Sequence, residues 1–282
     1  MGRFDDRNVI VTGAAQGIGR AIVEAFVEDG AHVLAADVRA DGLEDVRASI
    51  DPARVRTHVV DLSDFEAARS MVRGAIEQLR RIHVLVNCAG VMPEGPVLEV
   101  SKETFDLTFA VNARAPLATM QVAGEHMAHE GGGSIVNVAS ANAFKNESPE
   151  APYNASKAAL VALTKAFAHE LGHVGVRANC VAPGQTMTPE TEREMRGDPE
   201  ERRIEREYLR RIPLRRVGRA HEQASAVLFL ASDDAAFISG QTLIVDGGEL
   251  GGGDWYDERL APPVPADRDN APNGDNAAPN GM

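Results

Sequence analysis

Residues 8–19 read NVIVTGAAQGIG, a short apolar run followed by glycines at 13, 17 and 19. The run from Asn8 to Thr12, rich in β-branched residues and stopped by a glycine, reads as a buried strand. The next segment, GRAIVEAFVEDG at 19–30, has the length of a helix. A turn between strand and helix can bring backbone N–H groups up to a phosphate only where side chains are absent, and the helix N-terminus adds a field that favours the anion. Glycines in such a place also serve a tight turn with unusual dihedrals. Standing between a strand and a helix at the start of an alternating pattern, Gly13, Gly17 and Gly19 read as a nucleotide-binding turn.

The alternation continues along the chain. AHVLAAD (31–37), VRTHVVD (55–61), HVLVNCAG (83–90), SIVNVAS (134–140), VRANCVAP (176–183) and TLIVDGG (242–248) are short, aliphatic and end in Gly, Asp, Asn, Ser or Pro. Segments of helical length such as DFEAARSMVRGAIEQLRR (64–81) lie between them. Near-continuous apolar strands alternating with helices imply a doubly wound α/β domain, with parallel strands and helices on both faces, over residues 1–250. From Gly251 the composition shifts. PPVPADRDNAPNGDNAAPNGM (262–282) offers almost nothing to bury, so 251–282 reads as a tail that is disordered toward its end.

Composition narrows the function. Of 282 residues, 42 are acidic and 29 basic, a net charge of −13 that argues against nucleic acid as a partner. The two cysteines, Cys88 and Cys180, form neither a disulfide framework nor a metal pattern. No apolar run is long enough to cross a membrane, and the strand-like start leaves no room for a signal peptide, so the expectation is a cytoplasmic enzyme. His169 and His173 stand four apart, as metal ligands on a helix do, but no third ligand is near them, and no metal is expected. The second glycine cluster, HEGGGS at 129–134, has no helix after it and reads as a loop.

Asp37 ends the second strand roughly twenty residues after the glycine turn, where a carboxylate can accept hydrogen bonds from both ribose hydroxyls of an adenosine and repel a 2′-phosphate. An acidic residue is also an ordinary way to end a strand. The cofactor this predicts is NAD, tempered by Arg39, whose guanidinium could partner a phosphate. In YNASK, Tyr153 and Lys157 stand four apart, which on a helix puts an ammonium one turn from a phenol.

The turn TGAAQGIG (12–19), NCAG (87–90), Asn112, Ser140, YNASK (153–157) and PGQTMT (183–188) occur in this order, and together they resemble the short-chain dehydrogenase/reductase family over roughly residues 4–250. The resemblance implies a Rossmann-like fold with a seven-stranded parallel sheet, assembled as a homotetramer or homodimer. It makes Tyr153 the catalytic acid/base. A free phenol has a pKa near 10, and Lys157 would favour its ionised form while holding the nicotinamide ribose. Ser140 would hydrogen-bond the substrate oxygen, and Asn112 would hold a water that relays protons to Lys157. Alone, either of these two would serve as well as a cap or turn residue. By the same resemblance Gln16, Ile18, Asp61, Asn87, Gly90, Pro183, Gly184, Thr186 and Thr188 are further cofactor contacts, with Ile18 on the nicotinamide and Asp61 on the adenine. One departure is Cys88, where the family often has a second asparagine.

The implied activity is hydride transfer between nicotinamide and a secondary alcohol or ketone of a small molecule, with Tyr153 taking the hydroxyl proton during oxidation. Two alternatives stay open: an NADP-dependent carbonyl or 3-oxoacyl-ACP-type reductase, and a catalytically silent binding protein of the same fold. In the family the stretch after PGQTMT covers the substrate, here at about 189–215. Ile204, Tyr208 and Ile212 recur there every four residues in a narrow apolar stripe. The stripe serves either to pack the cover on the body or to roof the substrate, and the second reading predicts a bulky, mostly hydrophobic alcohol, a cyclic body being one of the forms left open.

Overall fold

Among the described residues nine strands form: β1 (Asn8–Thr12), β2 (His32–Asp37), β3 (Val55–Val59), β4 (Val84–Asn87), β5 (Gly133–Val138), β6 (Val176–Pro183), β7 (Thr186–Met187), β8 (Gly218–Arg219) and β9 (Thr242–Val245). The computed structural model describes residues 2–188 and 209–252. Seven of these strands make one sheet in the order β3-β2-β1-β4-β5-β6-β9, with every neighbouring pair parallel. β7 and β8 form a separate two-residue pair. Side chains of the central strands alternate between two cores. Val9, Val11, Val33, Ala35, Val84 and Val86 enter one, while Ile10, Leu34, Ala36 and Leu85 enter the other. A strand with no polar face is what burial on both sides requires.

The α-helices assigned among the described residues are α1 (Gly17–Glu28), α2 (Ala40–Ser49), α3 (Phe65–Leu79), α4 (Lys102–Phe109), α5 (Ala115–His129), α6 (Ala151–Leu171) and α7 (Ala220–Ala231). The first core takes Ile22, Val23 and Phe26 from α1, Leu43 and Val46 from α2, and Val227 and Leu228 from α7. The second takes Met71 and Val72 from α3 and Met120, Ala123 and Met127 from α5, with Leu163 and Phe167 of α6 packed against it. The expected doubly wound architecture is therefore present, and its strand order reverses between β1 and β4. A crevice opens at such a reversal, outside the carboxyl ends of the strands.

Three boundaries differ from the sequence reading or limit it. β3 ends at Val59, with the Val60 N–H making the last rung to the Asp37 carbonyl of β2 at 2.9 Å, so Asp61 stands beyond the strand, at the start of the turn that leads into Phe65–Leu79, rather than at the strand end. Of the expected cover, 189–208 lie outside the described residues, and Ile204 and Tyr208 with them. Ile212 is 1 % exposed and so close to Gly247 that a Cβ on that glycine would meet its Cγ2 at 2.7 Å, so this end of the stripe packs on the body. The body extends to Leu250, and 253–282, most of the expected tail, lie outside the described residues. The cluster at 129–134 is a loop as expected, with Gly131 and Gly132 at φ 82° and 122° between α5 and β5.

Candidate active site

The glycine turn is built by close approach. The Thr12 hydroxyl accepts the Cys88 and Ala89 N–H groups at 3.1 and 3.3 Å, which ties the ends of β1 and β4 together. Gly13 (φ +67°) faces this junction, and a Cβ there would lie 2.6 Å from Ala89 Cα. Gly19 presses α1 onto the turn, since a Cβ would lie 2.0 Å from the Gly13 carbonyl oxygen. Gly17 (φ +57°) faces Thr188, whose Cγ2 a Cβ would meet at 3.3 Å. The start of α1 differs from that of α3. Asp64 caps α3 by accepting from the Glu66 and Ala67 N–H groups, whereas Gln16 at the start of α1 makes no side-chain cap. An uncapped N-terminus over a turn whose glycines 13, 17 and 19 leave room for close approach fits the pyrophosphate of a dinucleotide.

Asp37 reaches back over this turn. One carboxylate oxygen accepts the Ala15 N–H at 3.0 Å and the other the Arg39 N–H at 2.9 Å. A carboxylate has about four acceptor positions, so two remain for ribose hydroxyls. The Arg39 guanidinium donates to the Gln16 side chain and, at 3.5 Å, to Asp41. Both residues that bear on a 2′-phosphate thus stand at the turn.

The second half of the site lies at the carboxyl end of β5 and the start of α6. Ser140 is 7 % exposed; its hydroxyl accepts the Asn142 N–H at 3.1 Å and stands beside the Tyr153 phenol, whose ionised form it favours. It is therefore both a turn-former and a partner of the phenol. Lys157, 3 % exposed, donates to the Val138 carbonyl at 2.9 Å, and its Nζ stands 5.6 Å from the Tyr153 ring centroid. Burial pushes the Tyr153 phenol up to about 12, offset in part by Ser140, and pulls the Lys157 ammonium down to about 8. Burial likewise pushes the Cys88 thiol up to about 12, so at this departure from the family pattern stands a neutral side chain.

Asn112 is fully buried in a π-helical turn, Ala110–Arg114, where the Ala115 N–H reaches the Ala110 carbonyl. Its amide clamps Val91, accepting from the N–H and donating to the carbonyl at 2.9 Å each, and it donates to Ser156 at 3.0 Å. With its side chain so engaged, a water held by Asn112 would have to bind its backbone. A Cβ on Gly90 would lie 3.4 Å from both Asn112 Oδ1 and Lys157 Nζ, so these three expected residues meet. Asn87 turns its side chain away, donating to Asn137 and accepting from Thr119 at 2.8 Å each, which leaves its backbone for any cofactor contact. Asp61 is exposed and accepts the Ser63 N–H. Pro183 ends β6. Gly184 packs where a Cβ would lie 2.7 Å from Asp246 Cα, and the Thr186 hydroxyl donates to the Gly184 carbonyl at 2.9 Å. Ile18 packs partly against the first core.

Two residues beside Tyr153 carry no motif and escape a reading of the sequence: Asn142 and Glu150, joined through Asn142 Nδ2 and Glu150 Oε2 at 2.8 Å. The only signal was spacing, since Glu150 precedes Tyr153 by three residues, one helical turn.

Comparison with known proteins agrees with this geometry. A family model described as enoyl-(acyl carrier protein) reductase matches residues 13–249. A 3-oxoacyl-(acyl-carrier-protein) reductase of Thermotoga maritima is 34 % identical over 248 residues, covering 87 % of this chain and 98 % of that protein. D-threitol dehydrogenase of Mycolicibacterium smegmatis is 36 % identical over 251 residues, covering 87 % and 94 %. Among solved structures, levodione reductase superposes with a TM-score of 0.84 at 31 % identity, covering 89 % of this chain and all of that one. A protein described as an NAD(P)-dependent gluconate 5-dehydrogenase from Beutenbergia cavernae, with bound NADP at low occupancy, has a TM-score of 0.82 at 37 % identity, covering 88 % and 98 %.

Proposed function

The chain belongs to the short-chain dehydrogenase/reductase family of oxidoreductases, and from that premise we propose that it is an NAD-dependent dehydrogenase of a secondary alcohol, working reversibly on the ketone. The observation that carries this reading is the buried Lys157 ammonium 5.6 Å from the Tyr153 ring centroid, with Ser140 beside the phenol and favouring its ionised form. The bound nicotinamide supplies the acceptor or donor of hydride. Tyr153 takes the proton from the substrate hydroxyl, Ser140 fixes the oxygen that loses it, and Lys157 stabilises the phenolate that Tyr153 must visit. Gly13, Gln16, Gly17, Ile18, Gly19, Gly90, Pro183, Gly184, Thr186 and Thr188 hold the cofactor, together with Asp37, Asp61 and the Asn87 backbone.

The preference for NAD rests on Asp37, whose carboxylate meets the turn where a 2′-phosphate would lie. A second reading, an NADP-dependent carbonyl or 3-oxoacyl reductase, draws on Arg39 at the same turn and on the NADP bound by the Beutenbergia relative. Met92 and Phe144, 44 % and 49 % exposed, stand shortly after Val91 and Ser140 in the chain and offer apolar surface to a substrate. They favour an alcohol with a mostly hydrophobic, cyclic body; levodione reductase and D-threitol dehydrogenase mark a ring compound and a polyol among relatives. The test is a panel of cyclic and open-chain secondary alcohols with NAD⁺ and NADP⁺, read by absorbance of the reduced cofactor. Turnover of a cyclic alcohol with NAD⁺ in excess over NADP⁺ is expected, and no reduction of either cofactor by any alcohol overturns the reading.

A further inference from the structure

Glu150 stands at the start of α6 with Tyr153 three and Lys157 seven residues on, spacings that put all three on one face of the helix. It is 9 % exposed, yet its carboxylate is half satisfied. Oε2 accepts from Asn142 Nδ2 at 2.8 Å, whereas Oε1 accepts from no described residue and is not sealed from solvent. Burying a carboxylate costs free energy unless its acceptor positions are filled.

The surroundings do not neutralise it. Lys145, the near cation, is engaged at 3.0 Å by Glu147 and at 2.5 Å by Glu249, and Glu147 is engaged again by Arg211 at 3.1 Å. Glu94, on the loop where the Gly95 N–H meets the Pro149 carbonyl, adds a further negative charge that acts on Glu150, as does Glu147. Asn142 fixes the carboxylate and the catalytic hydroxyl together, its side chain on Glu150 and its backbone N–H on Ser140. The Glu150 charge also acts on the phenol itself, adding to the burial that raises it, alongside Cys88 and against Ser140.

We propose that Glu150 is a substrate-binding residue whose free oxygen takes a second hydrogen-bond donor, a hydroxyl or an ammonium, carried by the substrate beside its reacting carbinol. The substrate is then a diol or an amino alcohol with an apolar body, rather than a simple alcohol. This rests on the dehydrogenase reading above and sharpens it to a substrate class.

The experiment compares kcat/KM for cyclohexanol, trans-1,2-cyclohexanediol and trans-2-aminocyclohexanol with NAD⁺ and NADP⁺ in the wild type, Glu150→Gln and Glu150→Leu, with NADH binding and thermal melts to establish that each variant is folded. The wild type should favour the diol and the amino alcohol over cyclohexanol by about tenfold to a hundredfold, the range for a hydrogen bond to a charged group. Glu150→Gln, which keeps an acceptor and loses the charge, should keep the diol preference and lose that for the amino alcohol. Glu150→Leu should lose both. In Glu150→Gln the acidic limb of the oxidation profile should also move to lower pH, because a negative charge has left Tyr153, a change that loss of mere packing would not produce. Turnover of all three alcohols with no preference in the wild type, or an equal loss on all three in Glu150→Leu, overturns the proposal and leaves the dehydrogenase reading standing. No turnover of any of them with either cofactor overturns both.

Discussion

Tyr153 by itself ionises less readily in the folded protein than in water, because burial pushes it up to about 12. Its chemistry therefore depends on its one hydroxyl being held by Ser140 and faced by positive charge. Tyr153→Phe removes that hydroxyl alone, and turnover should fall by about a hundredfold to ten-thousandfold while NADH still binds. Stopped-flow and fluorescence titration separate the two effects, and a wild-type rate in the variant would sink the mechanism. Asp37→Ser should raise kcat/KM with NADP⁺ relative to NAD⁺, since it removes a carboxylate held at the turn by the Ala15 and Arg39 N–H groups. An unchanged ratio would mean that Arg39 governs the choice. That Tyr153, Lys157 and Ser140 would stand together was legible in the sequence, because Tyr153 and Lys157 lie one helical turn apart and Ser140 ends a strand before them in the family's motif order. The destination of the Asn87 side chain was not, because it depends on Thr119 and Asn137, 32 and 50 residues further along. Glu150 was equally hidden: its acidity is ordinary in a chain of net charge −13, and only its burial singles it out.

At the scale of elements, every strand expected from apolar runs is present; the central ones are buried on both faces and show no polar alternation, while the edge strands β3 and β9 are more exposed and were marked by their aliphatic residues and by the turn residues that follow them. The π-helical turn that buries Asn112 left no trace in the periodicity, being one extra residue inside a continuous helical stretch. The junction of β1, the turn and α1 is the most tightly determined piece. Gly19→Ala places a carbon 2.0 Å from the Gly13 carbonyl oxygen, and overpacking of this kind costs about 1–3 kcal/mol. NADH affinity should fall at least about tenfold in calorimetry, through displacement of the turn, and the melting temperature should drop by a few degrees. Another element joint carries a pH dependence. His83 precedes β4, and its Nδ1 accepts the Asn8 N–H of β1 at 2.9 Å, so the ring must be neutral there. Burial, then the charges of Arg81 and Arg7, pull it down to about 4. With an unfolded value near 6.5, the unfolded chain binds more protons between those limits. Stability from His83 is thus fully present above about 6.5 and is lost as pH falls toward 4. Urea midpoints should fall between pH 7 and 4.5, and His83→Gln, which keeps an acceptor, should fall less; an identical slope would rule His83 out.

For the whole molecule, two apolar surfaces lie far apart in the sequence. One is the last strand and the connection into it. Strands of a parallel sheet are ordinarily covered on both faces, yet Leu243 and Ile244 of β9 are 38 % and 39 % exposed, and Phe237 just before it is fully exposed. The other is on α4 and α5, where Phe105 and Leu107 are 44 % and 51 % exposed beside a groove of about 700 Å³ lined by Phe109, Leu117 and Leu163. Monomers seldom leave such patches open, and if each of the two pairs with its own copy, two sets of twofold contacts arise, which predicts a tetramer built as a dimer of dimers. Static light scattering should give four chains. Phe237→Glu and Leu107→Glu alter side chains that the fold itself leaves exposed, so each should cost the fold little while burying a charge in one interface. Each alone should yield dimers, and the pair together monomers. A monomeric wild type would mean that other parts of the chain cover these faces, and a tetramer that survives both substitutions would mean that the chains meet elsewhere.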